Sequence, residues 1–321
     1  MTYGRFLLGM AILSACSTVL ADEYPRSPSY GYHTPLPSQN TPGWPPLDQT
    51  AAALPAPEPQ LGANGLPAST ESLPIRPQAP DFVPCEKCGN GTWYTRVDYF
   101  HWNERDGGVD LVNESGPLVT VGYSRRIGCE RFRIEGFGGN VQYKGFLQDN
   151  NGGLEGDTST TRYLGGRAEY ELLLEPAQWN EVTFFMGVGT RFWLRDLRDS
   201  VGDLGSLSYG YMEQWLTIYP YIGMELKRAV TDRVELYSTM RVGATAVTFN
   251  HASIMDEPVW PKTGFTAQVE MGLRGPSLSL SAYYEVMTWE RSSVVNDQYY
   301  GGMIQPRSQM YTVGGKIGFI F

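Results

Sequence analysis

The segment YTVGGKIGFIF (residues 311–321) alternates apolar residues with small or polar ones up to the last position of the chain. In an extended strand, side chains point alternately to opposite faces. One face therefore carries Tyr311, Val313, Ile317, Phe319 and Phe321, and the other carries Gly314, Lys316 and Gly318. Because chain termini are usually frayed and polar, this pattern predicts a last strand that pairs within a sheet.

Nine further segments show the same period of two. In EVTFFMGVGTRFWLR (residues 181–195), for example, Phe184 and Met186 alternate with Gly187, Gly189 and Arg191. The predicted strands cover residues 92–102, 117–126, 131–144, 163–174, 181–195, 213–228, 233–249, 263–274, 277–290 and 309–321. Strict alternation places the two faces of a sheet in different environments.

The connections alternate between short and long. Those at 127–130, 175–180, 229–232 and 275–276 are short, whereas those at 103–116, 145–161, 196–212, 250–262 and 291–308 are predicted to be long polar loops. Short turns at one end and long loops at the other are typical of a transmembrane barrel. The prediction is an all-β fold, a closed antiparallel transmembrane β-barrel of about ten strands over residues 92–321. Pairing of its last strand with its first strand near Trp93 would remove both sheet edges.

The alternative is a soluble lipid-binding barrel with its apolar face inward. Glycines on the polar face oppose it, since they weaken a strand that is merely exposed to water, and they make room inside a narrow barrel. Aromatic residues at strand ends also favour a membrane barrel. The predicted aromatic girdle comprises Trp93, Trp102, Tyr123, Phe132, Tyr143, Phe249, Trp260 and Trp289.

The inward face of such a barrel would carry charges of both signs. Strand parity assigns to it Arg96, Asp98, Arg133, Glu135, Arg167, Glu169, Glu171, Arg191, Glu235, Arg241, Glu270, Arg274, Glu285 and Lys316. Barrels of eight strands are filled by side chains, and aqueous channels appear near sixteen. Since isolated charges in a confined lumen are costly, the pattern predicts a paired Arg/Glu network that largely fills the lumen.

The N-terminal residues read as an export signal. Arg5 precedes an apolar run, residues 6–15, that is shorter than the roughly 20 residues needed to span a bilayer. Residues 1–21 are predicted to be a signal peptide cleaved after Ala21, and LSAC offers lipidation at Cys16 as the alternative. Residues 22–84 hold 15 of the 22 prolines and predict a disordered periplasmic linker, which could also bind the cell wall or a periplasmic protein.

Three cysteines fall at one end of the predicted barrel: Cys85 and Cys88 in the junction 85–91, and Cys129 in the first short turn. An exported protein favours a disulfide, either Cys88–Cys129 or Cys85–Cys88. A zinc site is not predicted, because no fourth ligand is near. No cofactor is predicted, and a net charge of −9 argues against a nucleic-acid partner.

A catalytic role finds little support in the sequence. His101 and His251 fall at the outer ends of two predicted strands, with Glu104, Asp106 and Asp256 nearby, which leaves a rim hydrolase as a minor alternative. The long predicted loops are acidic and leave open a surface adhesin. The chain is predicted not to be an enzyme.

The opening of the barrel resembles a known family. WYTRVDYFHW (residues 93–102) and GPLVTVGYS (residues 116–124) resemble the start of the β-barrel porins of planctomycete-type bacteria, which open with a Trp-x-Arg-x-x-Tyr-x-x-Trp strand and a Pro-Leu-Val-Thr segment. Here Arg96 stands one position later than in that pattern. The resemblance implies an outer-membrane location and a porin role, and it supplies no catalytic residues.

The aromatic last residue, Phe321, resembles the signal by which the barrel-assembly machinery recognises outer-membrane barrels. The leading functional prediction is therefore a structural or narrow-pore barrel in the outer membrane of a Gram-negative-type bacterium, surrounded by outer-membrane lipid.

Overall fold

The computed structural model describes residues 88–148, 154–174, 181–202, 207–297 and 301–321. They form β1 (Cys88–Asp106), β2 (Val109–Ile127), β3 (Glu130–Gln148), β4 (Leu154–Leu174), β5 (Val182–Leu197), β6 (Ser200–Gly202), β7 (Leu207–Ser208), β8 (Met212–Thr231), β9 (Val234–Ala244), β10 (Val247–Ala252), β11 (Phe265–Arg274), β12 (Leu278–Trp289), β13 (Val295–Asp297), β14 (Gly301–Met303) and β15 (Arg307–Ile320). The predicted signal peptide, Cys16, the Pro-rich linker and Cys85 lie outside the described residues. Among the described residues, no helix has the length and apolar character needed to cross a bilayer.

The sheet closes on itself as a ring of ten antiparallel strands. Its order is β1, β2, β3, β4, β5, β8, β9, β11, β12 and β15, and β15 returns to pair with β1 from Thr92↔Ile320 to Arg105↔Arg307. β9 pairs with one part of β8, and β10 follows it in the chain and pairs with the next part of β8. At the seam, the backbone groups of Gly91 and Phe321 exchange two hydrogen bonds of 3.0 Å each. The prediction of a closed ten-strand barrel is confirmed.

The apolar face of the barrel points outward. On β1, Val97 is 59% exposed, whereas its neighbour Arg96 is 5% exposed. The same contrast recurs on β3, where Ile134 is exposed and Glu135 is buried. A sheet with an apolar outer face and a polar interior is the arrangement that a bilayer requires. The fold is therefore a transmembrane β-barrel, and the alternative of a soluble barrel with an apolar lumen is wrong.

The two ends of the barrel differ. We call the end that holds Cys88 and Phe321 the terminal end, and the opposite end the hairpin end. At the hairpin end, β1 and β2 continue to a two-residue turn at Gly107 and Gly108, whose φ angles of 57° and 85° suit the tight hairpin turn that glycine favours. Arg105 donates a hydrogen bond to Asp110 beside this turn, which lowers the pKa of Asp110.

Two of the predicted long loops are instead mostly paired strand. Residues 103–116 complete the β1–β2 hairpin, and β3 and β4 remain in register through residues 145–148 and 154–161. The alternation of apolar and polar residues fades there because neither face of this extension has to meet lipid. Hydrogen bonds between backbone groups hold the strands without that pattern. At the other end, β1 begins at Cys88, inside the predicted junction.

Glycines on the inward face make room for large side chains of the neighbouring strands. A Cβ added at Gly189 would lie 2.3 Å from the Tyr219 ring, and one at Gly223 would lie 2.4 Å from the Phe185 ring. The rings of Tyr219 and Phe185 therefore lie flat against the neighbouring strand. Inward glycines also make room for a charged side chain, since a Cβ added at Gly314 would lie 2.2 Å from Asp98 Oδ1.

Candidate functional site

The candidate site is the interior of the barrel. The structure places all fourteen predicted charged residues on the inward face, each within an ion pair. These pairs include Arg96–Asp98, Arg133–Glu169, Arg167–Glu135, Arg191–Glu285, Arg241–Glu171, Arg274–Glu235 and Lys316–Glu270. These contacts join the predicted residues to one another inside the lumen.

Arg167 lies at the centre of the network. Its guanidinium contacts Glu135 at 2.6 Å on the adjacent strand β3, and its Nη1 donates to Glu285 at 2.5 Å on β12. β4 and β12 hold the fourth and ninth places of the ten-strand ring, so they face each other across the lumen. Arg191 on β5 reaches the same Glu285 at 3.2 Å. Side chains from opposite walls thus meet in the middle of the barrel.

Four tryptophans form a second layer across the lumen. Trp102, Trp193, Trp215 and Trp289 are at most 2% exposed. The rings of Trp102 on β1 and Trp215 on β8 lie 5.1 Å apart, although these strands hold the first and sixth places of the ring. Trp193 stacks on Trp215 at 5.3 Å. Offset and edge contacts at these distances are the arrangements that aromatic rings favour.

The position of two tryptophans corrects the predicted girdle. Trp102 and Trp289 are 0% exposed and lie in the lumen, whereas Trp93 and Trp260 are exposed on the outside. The prediction was wrong for Trp102 because it followed position at a strand end. Parity decides the matter, since Trp102 is an even number of residues from Arg96 and Asp98 and must share their face.

Closer to the hairpin end, Arg195 contacts three buried glutamates. Its Nη2 lies 2.9 Å from Glu114, and its Nη1 lies 3.0 Å from Glu104 and 2.8 Å from Glu213. Trp102 Nε1 donates to Glu104 at 2.8 Å, which connects this cluster to the tryptophan layer. Three carboxylates thus share one guanidinium in this part of the lumen.

The sequence prediction missed this cluster. Glu104 and Glu114 fell in a segment assigned to a loop, and Glu213 was the first residue of a predicted strand. Arg195 shares the parity of Arg191 on β5, and this signal was present in the sequence.

Toward the terminal end, the network contains further cations that share carboxylates. Arg131 bonds to Glu171, and its Nη1 donates to Glu225 at 2.6 Å. Lys227 binds the other oxygen of Glu225 at 2.9 Å. Arg131, Glu225 and Lys227 were absent from the predicted network, although each has the parity of predicted members on the same strand or on its neighbour.

Cys129 lies in the short turn between β2 and β3 and is disulfide-bonded. Its backbone carbonyl accepts a hydrogen bond of 2.7 Å from Leu173, which holds the turn against β4. The side chain of Cys88 and all of Cys85 lie outside the described atoms. The predicted Cys88–Cys129 pairing and its alternative, Cys85–Cys88, therefore both stay predictions.

The two barrel histidines do not form a site with the lumen carboxylates. The His101 ring lies 5.9 Å from the outward-facing Tyr311, and His251 Nε2 contacts the carbonyl of Met255 at 3.1 Å. Glu104, proposed as a neighbour of His101, points into the lumen instead. In the part of the chain that the structure describes, no group of three or more His, Cys, Asp or Glu is placed to hold a metal ion.

Among solved structures, the chain is similar to several bacterial barrels. The outer membrane protease OmpT from Escherichia coli matches with 10% identity and a TM-score of 0.44, covering 76% of this chain and 99% of that one. The β domain of the Bordetella autotransporter BrkA matches with 11% identity and a TM-score of 0.38, covering 71% and 98%. The translocator domain of the autotransporter NalP from Neisseria meningitidis matches with 11% identity and a TM-score of 0.34, covering 74% and 90%.

No protein-family model matches the chain, and the search of curated proteins found no match. The resemblance to planctomycete-type porins therefore stays a prediction.

Proposed function

We propose that this chain is a structural barrel of the bacterial outer membrane whose lumen does not conduct. The exposed apolar belt supports the membrane location. By analogy with other barrels, the terminal end would face the periplasm and the hairpin end the cell exterior. The N-terminal arm would then extend from Cys88 into the periplasm and link the barrel to the cell wall or to a periplasmic protein.

The single observation that carries this proposal is the salt bridge between Arg167 and Glu285. It joins opposite walls of the lumen at 2.5 Å, a separation that leaves no room for water between the two groups. The tryptophan layer crosses the lumen at a second level, so a solute would have to displace both the salt bridge and the tryptophans. A narrow pore is thus a weaker reading than a closed lumen.

The test is conductance in planar lipid bilayers. Refolded protein is added at matched amounts beside a general porin as positive control, and liposome flotation verifies insertion. We expect no single-channel steps of any size from the wild type or from Glu285→Gln, because the tryptophan layer still closes the variant. Steady single-channel currents of any size from inserted wild-type protein would overturn the proposal.

An adhesin is the second candidate, favoured by exposed apolar residues at the hairpin end. Leu207 is 69% and Tyr209 80% exposed, beside the short strands β6 and β7. Contiguous apolar patches outside a membrane mark binding surfaces, and Leu207 and Tyr209 would contribute to such a patch. Adhesion of whole cells to polysaccharide-coated surfaces, compared between the wild type and Tyr209→Ser, would separate this role from a purely structural one.

A further inference from the structure

A cavity of about 270 Å³ opens among the strand ends at the terminal end. It is slightly smaller than the roughly 300–1,000 Å³ of pockets that hold drug-sized molecules. Its lining includes six cationic side chains, Arg126, Arg131, Arg133, Lys227, Arg274 and Lys316, but only two carboxylates, Glu225 and Glu270. Cations therefore outnumber carboxylates on the cavity wall, in a protein whose net charge is −9. Behind this wall, Arg131, Arg133 and Arg274 also pair with Glu171, Glu169 and Glu235.

The cations also lie closer to solvent than the carboxylates do. The side chains of Lys227 and Arg274 are 27% and 34% exposed, whereas that of Glu225, their shared partner, is 5% exposed. Lys316 is likewise more exposed than Glu270, which it contacts. Glu225 and Glu270 are thus covered by the cations that pair with them, so a molecule in the cavity meets Lys227 and Lys316 before these carboxylates. Glu235, which pairs with Arg274 at 3.0 Å, is as exposed as Arg274.

These cations retain donor capacity after pairing. An ammonium group has three donor hydrogens, and Lys227 Nζ makes one ion pair among the described residues, to Glu225 at 2.9 Å. Arg133 donates from Nη1 to Glu169 at 2.9 Å. Arg131, which lines the same cavity, has an Nη2 with no hydrogen-bond partner within the described residues. An oxyanion supplies the acceptors that such donors bind best.

The cavity is a blind end. Beyond it, toward the hairpin end, the Arg167–Glu285 bridge and the tryptophan layer cross the lumen. A molecule that enters from the terminal end therefore cannot pass through to the hairpin end.

We propose that this cavity is a binding site for a small multivalent oxyanion, of the phosphate or polycarboxylate class. The anion has two chemical sources. One is a dissolved ion on the side of the membrane that the terminal end faces. The other is this chain itself, because the carboxylates of Asp81 and Glu86 stand only a few residues before β1 in the sequence.

The experiment is isothermal titration of full-length detergent-solubilised protein with inorganic phosphate and with citrate, at constant ionic strength set with chloride. We expect saturable binding, weakened about tenfold by Lys227→Gln, since one charge-assisted contact is lost. Lys262→Gln is the matched control, because Lys262 is exposed and does not line the cavity. Its affinity should equal that of the wild type. The change in electrophoretic mobility on heating verifies that each variant is folded, and Arg274→Gln replaces Lys227→Gln if the latter fails this check.

A variant with Asp81→Asn and Glu86→Gln separates the two sources. If the chain's own carboxylates occupy the cavity, this variant binds added phosphate more tightly than the wild type. If a dissolved anion is the occupant, the two affinities are equal. Absence of saturable binding in both the wild type and this variant would overturn the proposal, as would equal affinities of folded Lys227→Gln and Lys262→Gln.

Discussion

Arg195→Gln should destabilise the barrel far more than Arg198→Gln, the same substitution three residues later. Arg195 is 1% exposed and contacts Glu104, Glu114 and Glu213 at 2.8–3.0 Å. Arg198 has a side chain that is 57% exposed and contacts Asp196 at 3.4 Å. The two positions therefore compare a buried guanidinium with a solvated one at nearly the same place in the chain.

The expected magnitude follows from what each substitution leaves behind. Removing one partner of a buried ion pair costs about 3–5 kcal/mol, and here three carboxylates lose their only guanidinium among the described residues. The loss should not triple, because Trp102 still donates to Glu104 at 2.8 Å and Trp215 still donates to Glu213 at 2.9 Å. An exposed pair contributes about 0.2–1 kcal/mol, which sets the cost for Arg198→Gln.

The assay is urea unfolding in detergent, followed by tryptophan fluorescence. The four lumen tryptophans adjoin the Arg195 cluster and should report its opening. With a urea slope of about 1–3 kcal/mol per molar, Arg195→Gln should lower the midpoint by more than about 1 M.

Adding Glu114→Gln to Arg195→Gln should recover about 1 kcal/mol or more, since it removes the charge of one carboxylate that has lost its cation. Thr161 and Tyr163 still donate hydrogen bonds to the side chain at position 114. This double variant separates the loss of stability caused by unbalanced charge from the loss caused by poorer packing. The reasoning fails if Arg195→Gln and Arg198→Gln unfold at the same midpoint, or if the second substitution lowers stability further.

Three further predictions concern the wall and the seam of the barrel. Gly243→Ala should cost about 1–3 kcal/mol, because its Cβ would lie 2.2 Å from a backbone oxygen, whereas the outward Gly136→Ala, with its nearest atom at 4.0 Å, should be neutral in the same urea assay. Phe321→Asp should prevent delivery to the outer membrane while Phe321→Trp preserves it, as measured by membrane fractionation. Thiol labelling of denatured, non-reduced protein should leave Cys129 unmodified, and its modification would contradict the disulfide.

The inward and outward faces of the strands could be predicted from the sequence because the direction of a side chain is a local property. Each residue of a strand points away from its neighbours, so Arg96 and Val97 had to lie on opposite faces whatever the rest of the chain did. The terminal apolar strand likewise required a partner, and β1 was the strand left unpaired on one side. Where the reading relied on a weaker rule, as for Trp102 at a strand end, it was wrong.

Pairing across the lumen was decided only by the tertiary structure. Arg167 and Glu285 are 118 residues apart in sequence and meet because the ring of ten strands brings β4 opposite β12. Strand parity predicts that both side chains point inward. It does not determine the level along the barrel axis at which each side chain lies. That level depends on the register of every pair in the closed sheet, a quantity that is set by all ten strands together.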